Sequence, residues 1–258
     1  CLVGSEMCIR DRELRENQLR LPGYILPEQI IATNDIAEIK DCSIVLIAVP
    51  MQQLRSLLEM HGSILKGKIL VACCKGFEVS SGLGPTSILE IASEKTAVLT
   101  GPSFASDLAS GFPTALTIAS KVEGLAKYIQ KELGTEILRL YWSNDPIGAE
   151  LGGALKNVIA IGCGVTIGAG YGSSSRAALM TRGYSEIVNI APYFGAKPET
   201  LFGLSGLGDL SLTCMSSESR NYQYGLALGK QQPFDKNITV EGVGTSSAIV
   251  LKAKEFKV

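Results

Sequence analysis

The sequence is poor in the residues that mark several classes of protein. Its 258 residues include one histidine, one tryptophan and seven cysteines, an odd number that contains no CxxC pair. These counts argue against a disulfide framework and against a zinc site, and free thiols favour a reducing, cytoplasmic location. The formal net charge of −1 gives no support to a nucleic-acid or membrane-surface partner. No signal peptide is visible.

Long hydrophobic runs are also scarce. The longest uncharged stretch, 157–175, is broken by five glycines and ends in three serines. It is nearly long enough to cross a bilayer, but these residues make a membrane span a poor interpretation.

A further absence is the GxGxxG loop that holds a dinucleotide pyrophosphate after the first strand of a nucleotide-binding sheet. Two glycine-rich stretches, GAGYGSSS (168–175) and GLGDLS (206–211), have no strand before them and do not qualify. The first twelve residues, CLVGSEMCIRDR, show no strand pattern. We interpret 1–12 as non-native sequence that stands in place of an opening βαβ unit; a native N-terminal tail is the alternative.

The sequence does contain a regular alternation of strands and helices. Apolar runs predict strands at 43–50, 68–76, 96–101, 114–120 and 136–143. Helical patterns lie between them and before the first, where Asp35 is placed to cap a helix that ends at Asp41. This alternation indicates a mainly parallel sheet with helices on both faces. We predict an α/β, Rossmann-like domain over 13–145 that lacks its first βαβ unit, and an all-α substrate domain over 146–258 that is cut short at its C-terminus.

Unusual residues follow two of the predicted strands. Lys75 and Gly76 stand at the end of the second strand, and Gly101 and Ser103 interrupt or follow the third. Ligands of open parallel sheets bind beyond the carboxyl ends of the strands, so Lys75 and Ser103 are candidate ligand contacts. A surface lysine after a strand is the simpler alternative for Lys75.

Lys156 is the only charge at the start of the long apolar run. In a helix over 149–164 its neighbours are all small: Gly152, Gly153, Ala160 and Cys163. Such neighbours leave room for a backbone or a ligand, and desolvation there would lower the pKa of the ammonium towards neutrality, as proton transfer requires. The alternative is a lysine whose head reaches solvent. The spacing of the residues alone does not favour either the proton-transfer lysine or the solvated one.

A third polar cluster lies near residue 210. Asp209 and Thr213 are one helical turn apart, and Ser219, Arg220 and Asn221 precede a helical pattern. Arginine beside free helix amides suits a phosphate group. The alternative is simple capping by Ser219 or Asn221, with Arg220 in solvent.

Taken in order, several of these stretches resemble the motifs of the bacterial NAD(P)-dependent glycerol-3-phosphate dehydrogenases. The matching stretches are LPG…LP…I…AT.D (21–35), CKGFE, GPSFA, ALKNVIAIG, TRGYSEI, GLSGLGDLSLTC, SRN and VEGVGT. The resemblance covers residues 13–258. It implies an oxidoreductase that interconverts dihydroxyacetone phosphate and sn-glycerol 3-phosphate with NAD or NADP, for phospholipid synthesis.

The resemblance also implies a role for individual residues. Lys156 matches the catalytic acid and base. Positions that match substrate contacts are Lys75, Gly101, Ser103, Asn157, Asp209, Thr213, Ser219, Arg220 and Asn221. Positions that match cofactor contacts are Lys75, Ala105, Arg220, Thr239 and Glu241, although a threonine at 239 departs from the family's usual aliphatic residue.

Two departures from the family pattern keep other readings open. Without the GxGxxG unit the choice between NAD and NADP is undecided, and the chain ends at Val258 soon after VEGVGT, so we expect a fragment whose own activity is in doubt. The alternatives are another lysine-dependent hydroxy-acid or ketoacid dehydrogenase, and an inactive substrate-binding fragment. Oligomeric state stays open, with a homodimer as one option.

Overall fold

A computed structural model describes residues 2–3, 13–18, 21–236 and 238–256 of the chain. Its largest sheet has five strands, and their order across the sheet is also their order in the sequence. The strands are β3 (Ile44–Ile47), β4 (Ile69–Ala72), β5 (Thr96–Thr100), β6 (Thr114–Ala119) and β7 (Leu138–Ser143). Each lies within a predicted strand region.

The sheet is mainly parallel, as predicted, but the pairing of β5 with β6 is antiparallel. A parallel crossover needs a long connection that usually contains a substantial helix. The connection between β5 and β6 holds only the five-residue helix Ala105–Ala109, and β6 returns beside β5 in the opposite direction.

Both faces of the sheet are covered. Leu70 and Ala72 of β4 pack into one buried cluster with the helices before and after that strand. Their neighbours Ile69 and Val71 point the other way, into a second cluster that includes Leu125 and Ile129. This alternation of side chains is the property of a pleated strand buried on both sides. The prediction that β3 is fully buried is wrong: β3 is an edge strand of the described sheet, and Leu46 is 50% exposed.

Short helices connect the strands. They are α1 (Leu54–Leu65), α2 (Pro85–Leu89), α3 (Ala105–Ala109) and α4 (Leu125–Leu133). The helix predicted before β3 is a single 3-10 turn, Ile36–Ile39, and Asp35 does cap it by accepting a hydrogen bond from the Ala37 amide at 2.9 Å.

A small separate sheet corrects the interpretation of the N-terminal residues in one respect. Leu2–Val3 (β1) pairs in parallel with Ala32–Thr33 (β2), whereas no strand is predicted in 1–12. Ala32–Thr33 offers free backbone groups, and a short apolar segment can satisfy them by pairing. Residues 1 and 4–12 lie outside the described residues.

From residue 146 onward the described chain is helical. The helices are α5 (Pro146–Gly168), α6 (Ser173–Ile190), α7 (Pro198–Leu201), α8 (Asp209–Met215), α9 (Arg220–Gly229) and α10 (Glu241–Phe256). A 3-10 turn, Ala191–Phe194, and a π-helical turn, Leu204–Gly208, lie between them. The predicted combination of an α/β sheet and an all-helical region is therefore confirmed.

Helix α5 is the central element of the helical region. It begins with Pro146 after Asp145, whose carboxylate accepts a hydrogen bond from the Gly148 amide at 2.9 Å; proline at the first helical position and an aspartate cap are both typical of helix starts. By length and composition α5 is apolar enough to cross a membrane, but 56% of that stretch is buried inside the molecule, which is typical of a core helix.

Glycines bring α5 and α9 into backbone contact. A Cβ on Gly164 or Gly168 of α5 would collide with backbone atoms of α9, and a Cβ on Gly225 or Gly229 of α9 would collide with backbone atoms of α5. Small residues at four-residue spacing on both helices therefore set how closely the two helices approach.

Candidate active site

Eight of the thirteen predicted site residues line one cavity of about 260 Å³ between the carboxyl end of β4 and the helices α5, α8, α9 and α10. Its walls are Cys73, Lys75, Phe104, Lys156, Asn157, Thr213, Glu218, Ser219, Arg220, Asn221 and Glu241. The sheet contributes Lys75 from the loop after β4, and the helical region contributes most of the remaining polar groups. The cavity lies where the ligand of an open parallel sheet is expected.

Two lysines share one carboxylate at the base of this cavity. Lys156 Nζ lies 2.5 Å from Asp209 Oδ1, and Lys75 Nζ lies 2.7 Å from Asp209 Oδ2. Lys156 also donates a hydrogen bond to Thr213 Oγ1 at 2.7 Å, and Thr213 in turn donates to the backbone carbonyl of Asp209 at 2.6 Å. One buried carboxylate therefore holds the ammonium groups that come from the sheet and from α5.

The lysine on α5 is not solvated. Lys156 is only 6% exposed, which excludes the alternative of a head group in solvent. Its pKa is lowered to about 8, chiefly by burial and next by the nearby charge of Lys75, while Asp209 acts in the opposite direction. The predicted direction of this pKa change is thus confirmed, with desolvation as its main cause.

The small residues around Lys156 have the consequence expected from the sequence. A Cβ on Gly152 would come within 2.5 Å of the Ser205 carbonyl oxygen, so this glycine admits another stretch of backbone. A Cβ on Gly153 would lie 2.8 Å from Thr100 Oγ1 and 3.7 Å from Lys75 Cδ. Gly153 therefore lets β5 and the Lys75 side chain lie against α5.

An amide network fixes the opposite wall. Asn221 Nδ2 donates to Asn157 Oδ1 at 2.9 Å, while Asn221 Oδ1 accepts from the Gly242 amide at 2.9 Å. Asn157 Nδ2 donates to Glu241 Oε2 at 3.3 Å. Helices α5, α9 and α10 are joined at the cavity by these three side chains.

The Ser219–Arg220–Asn221 stretch combines the two alternatives left open by its sequence. Ser219 caps α9, since its Oγ accepts a hydrogen bond from the Tyr222 amide at 3.2 Å. Arg220 is exposed and lines the cavity. Capping and an accessible guanidinium therefore occur together.

Five of the predicted positions are not cavity walls: Asp209, which lies beneath the two lysines, and Gly101, Ser103, Ala105 and Thr239. The carbonyl of Gly101 accepts a hydrogen bond from Lys75 Nζ at 3.5 Å, and the φ of +144° at Gly101 is strained for other residues. Ser103 lies between that glycine and α3, Ala105 is the exposed first residue of α3, and Thr239 is exposed before α10. These last three lie close in sequence to wall residues: Ser103 and Ala105 flank Phe104, and Thr239 lies two positions before Glu241.

Three wall residues were missed in the sequence. Cys73 lies two positions before Lys75, Phe104 lies between Ser103 and Ala105, and Glu218 directly precedes Ser219. Their only sequence signal is adjacency to predicted residues. Glu218 Oε2 accepts a hydrogen bond from Ser106 Oγ at 3.0 Å, and this bond connects α3 to the loop before α9.

Another cavity, of about 330 Å³, lies beside β6 and β7. It is lined by Ala115, Thr117, Tyr141, Trp142, Ser143, Glu199, Thr200, Gly203, Leu204 and Ser205. It is larger than the lysine cavity, but its walls contain one ionisable acid and no cation to bind an anionic substrate. In the described part of the chain, no group of three His, Cys, Asp or Glu side chains is placed to hold a metal ion.

Comparison with protein families gives two matches that together cover most of the chain. Residues 6–126 match the profile described as NAD-dependent glycerol-3-phosphate dehydrogenase N-terminus, and residues 145–258 match the profile of its C-terminus.

Individual relatives agree with these profiles. A glycerol-3-phosphate dehydrogenase [NAD(P)+] of Ruegeria sp. (strain TM1040) is 54% identical over 247 residues, which are 95% of this chain and 77% of that protein. The protein of the same name from Cereibacter sphaeroides is 56% identical over 227 residues, or 87% of this chain and 74% of the relative. The crystal structure of glycerol-3-phosphate dehydrogenase from Coxiella burnetii superposes with a TM-score of 0.91 at 32% identity, and covers 98% of this chain and 81% of that one.

Proposed function

The chain belongs to the NAD-dependent glycerol-3-phosphate dehydrogenase family, and from this premise we propose how its residues act in that reaction. It is an NAD(P)-dependent oxidoreductase that interconverts dihydroxyacetone phosphate and sn-glycerol 3-phosphate. The observation that carries the assignment of roles is the buried Lys156 ammonium, held by Asp209 and Thr213 at the wall of a cavity that also contains Lys75 and Arg220.

Lys156 is proposed as the proton donor and acceptor. During reduction its ammonium donates a proton to the substrate oxygen, and during oxidation the neutral amine takes it back. A pKa of about 8 keeps both protonation states accessible near neutral pH, which is the condition for efficient general acid–base catalysis. The same positive charge stabilises the negative charge that develops on the carbonyl oxygen.

Asp209, Thr213 and Lys75 are proposed to position and tune this lysine. Asp209 and Thr213 accept two of the three hydrogen bonds that the Lys156 ammonium can donate. The third donor position remains for the substrate oxygen. Lys75 places a second positive charge beside the same carboxylate. This charge stabilises the negative charge that develops on the substrate oxygen.

The phosphate end of the substrate is assigned to the cavity's outer wall. The exposed guanidinium of Arg220 can bind a phosphate with two parallel hydrogen bonds, and it begins α9, where free backbone amides also favour an anion. Ser219 and Asn221 flank it, and Asn157 links Asn221 to the Lys156 helix. Gly101 and Ser103 are proposed to contact the substrate from the β5 side.

The donor set also fits a nicotinamide dinucleotide. Lys75 and Arg220 supply cations, Glu241 supplies a carboxylate, and all three line the cavity. With Ala105 and Thr239 at the rim, these residues are proposed to hold NAD or NADP. When bound, the cofactor supplies the hydride for reduction or accepts it in oxidation. The protein itself supplies the proton, the charge and the alignment.

The test compares two substrates. With NADH, dihydroxyacetone phosphate is expected to be reduced, and a non-phosphorylated ketoacid is expected to give little turnover. Turnover of the ketoacid but not of the phosphate ester would favour a different lysine-dependent dehydrogenase. Lys156→Ala is expected to lower kcat by about 10²- to 10⁴-fold, the usual contribution of general acid–base catalysis, while circular dichroism stays unchanged. A near-normal rate would remove Lys156 from the mechanism.

The cellular location and the oligomeric state complete the proposal. The five described cysteines are free thiols, and this supports a reducing cytoplasmic location and a role in phospholipid synthesis there. A homodimer is the proposed assembly, and light scattering of the purified protein measures it.

A further inference from the structure

Glu150 is a buried carboxylate with no role in the proton transfer described above. It lies on α5 six residues before Lys156 and is 6% exposed. Burying a carboxylate is costly unless hydrogen bonds compensate for its lost hydration. A residue of this type in a core helix therefore needs a structural or functional reason.

The carboxylate of Glu150 reaches across to the sheet domain. Its Oε1 accepts a hydrogen bond from the Thr86 amide at 2.7 Å. Its Oε2 lies so close to Gly84 that a Cβ on that glycine would collide with it. The charged groups near it are Glu90 and Lys121, which pair with each other at 2.6 Å, so Glu150 has no ion pair of its own among the described residues.

Gly84 ends the loop that begins with Lys75, and Thr86 lies in the first turn of α2, which follows that loop. Within this loop the Glu78 amide donates to the Leu83 carbonyl at 3.0 Å and the Gly82 amide donates to the Glu78 carbonyl at 2.7 Å. These bonds make the loop compact between Glu78 and Leu83, the residue before Gly84.

The same loop lies along one face of α5. Phe77 packs in a buried cluster with Leu151 and Leu155, and the Lys75 side chain lies against Gly153. Between residues 150 and 155, α5 therefore contacts both ends of the Lys75 loop. Glu150 supplies the hydrogen bond at the end farthest from the cavity.

We propose that Glu150 is a positioning residue for the reaction, because its hydrogen bond to Thr86 holds the Lys75 loop against α5 and thereby keeps Lys75 beside Lys156. This inference rests on the proposed function of Lys156. It gives a measurable consequence, since the nearby charge of Lys75 helps to lower the pKa of Lys156. A loosened loop lets Lys75 withdraw and water enter, and both changes raise that pKa.

Two substitutions separate the hydrogen bond from the packing. Glu150→Met keeps the length and the burial of the side chain but cannot accept the Thr86 N–H. Glu150→Gln keeps an oxygen acceptor without the charge. Glu90→Gln is the matched control, because it removes a neighbouring carboxylate that makes no bond to the loop.

The measurement is the pH dependence of kcat/KM for reduction of dihydroxyacetone phosphate, together with kcat at one pH. For Glu150→Met we expect a loss of about 10- to 100-fold in kcat, the scale of a small misplacement of a catalytic group. We also expect the alkaline limb to move up by about half a pH unit or more. Glu150→Gln and Glu90→Gln should stay close to wild type. Amide exchange at residues 75–86 should be faster in Glu150→Met alone.

The inference is overturned if folded Glu150→Met has the wild-type kcat and the wild-type alkaline limb, or if Glu150→Gln loses as much as Glu150→Met. The wild-type chain in the same assay separates this failure from a failure of the proposed function. Without wild-type turnover the function fails, whereas amide exchange still reports whether Glu150 holds the loop.

Discussion

Removing the carboxylate shared by the two lysines is the sharpest perturbation of the site. Asp209→Asn keeps the shape of the side chain and one oxygen acceptor but eliminates the negative charge. Lys156 and Lys75 lie 2.5 Å and 2.7 Å from its two oxygens, so both ammonium groups lose their partner at once.

The size of the effect follows from Coulomb's law. An opposite charge at about 4 Å stabilises an ammonium by about 4 kcal/mol when the effective dielectric constant is about 20. Because the amide oxygen still accepts a hydrogen bond, we expect about two-thirds of this, a fall of about two pKa units. The pKa of Lys156, about 8 in the intact site, should therefore fall to about 6.

The assay is the pH profile of kcat/KM for NADH oxidation with dihydroxyacetone phosphate. In the proposed mechanism reduction requires protonated Lys156, so the rate should fall as pH rises through its pKa. The falling limb should move from about pH 8 to about pH 6, and the rate at neutral pH should drop by about tenfold from protonation alone. Glu132→Gln, an exposed carboxylate on α4, is the control. A limb that stays in place or moves to higher pH in folded Asp209→Asn would refute this account of Lys156.

Three other predictions concern packing, linkage and substrate binding. Gly153→Ala should lower the free energy of unfolding by about 1–3 kcal/mol, because the new Cβ would lie 2.8 Å from Thr100 Oγ1; an unchanged urea midpoint contradicts this. Burial raises the pKa of Glu150 from 4.5 to about 7, so the folded state binds a proton that the unfolded state has released, and stability should fall by about 3 kcal/mol as pH rises across that interval. Glu150→Gln should remove this slope from urea unfolding measured at several pH values, and a slope that persists would assign it to other groups. Arg220→Ala should raise KM for dihydroxyacetone phosphate by about 10- to 100-fold, the value of a hydrogen bond to a charged group, with little effect on dihydroxyacetone; equal effects on both would argue against a phosphate contact.

The strands could be predicted because their burial leaves a direct mark on the sequence. The run ILVA of β4 is apolar at every position and buried at every position. The direction of a strand leaves no such mark. The antiparallel direction of β6 depends on how the short connection before it folds. The sequence of β3 is apolar like that of a buried strand, although Leu46 on one of its faces is exposed to solvent.

The site could be predicted in part for a similar reason. The spacing around Lys156 indicated a lysine among small residues, but its partner Asp209 is 53 positions away, and no local pattern joins them. Ordered motifs of a known family supplied that link. Glu150 had no such signal, because its contact with Thr86 depends on the packing of the two halves of the molecule.

The glycine contacts between α5 and α9 fix the distance between the backbones of these two helices. Lys156 stands on one helix and Arg220 begins the other, and their backbones touch at Gly164, Gly168, Gly225 and Gly229. No side chain lies between the helices there that could repack to let one slide along the other. The separation of the two backbones at Lys156 and Arg220 is therefore fixed. With the roles proposed for these residues, a ligand that has one carbon more or fewer between its carbonyl and its phosphate is expected to bind less well.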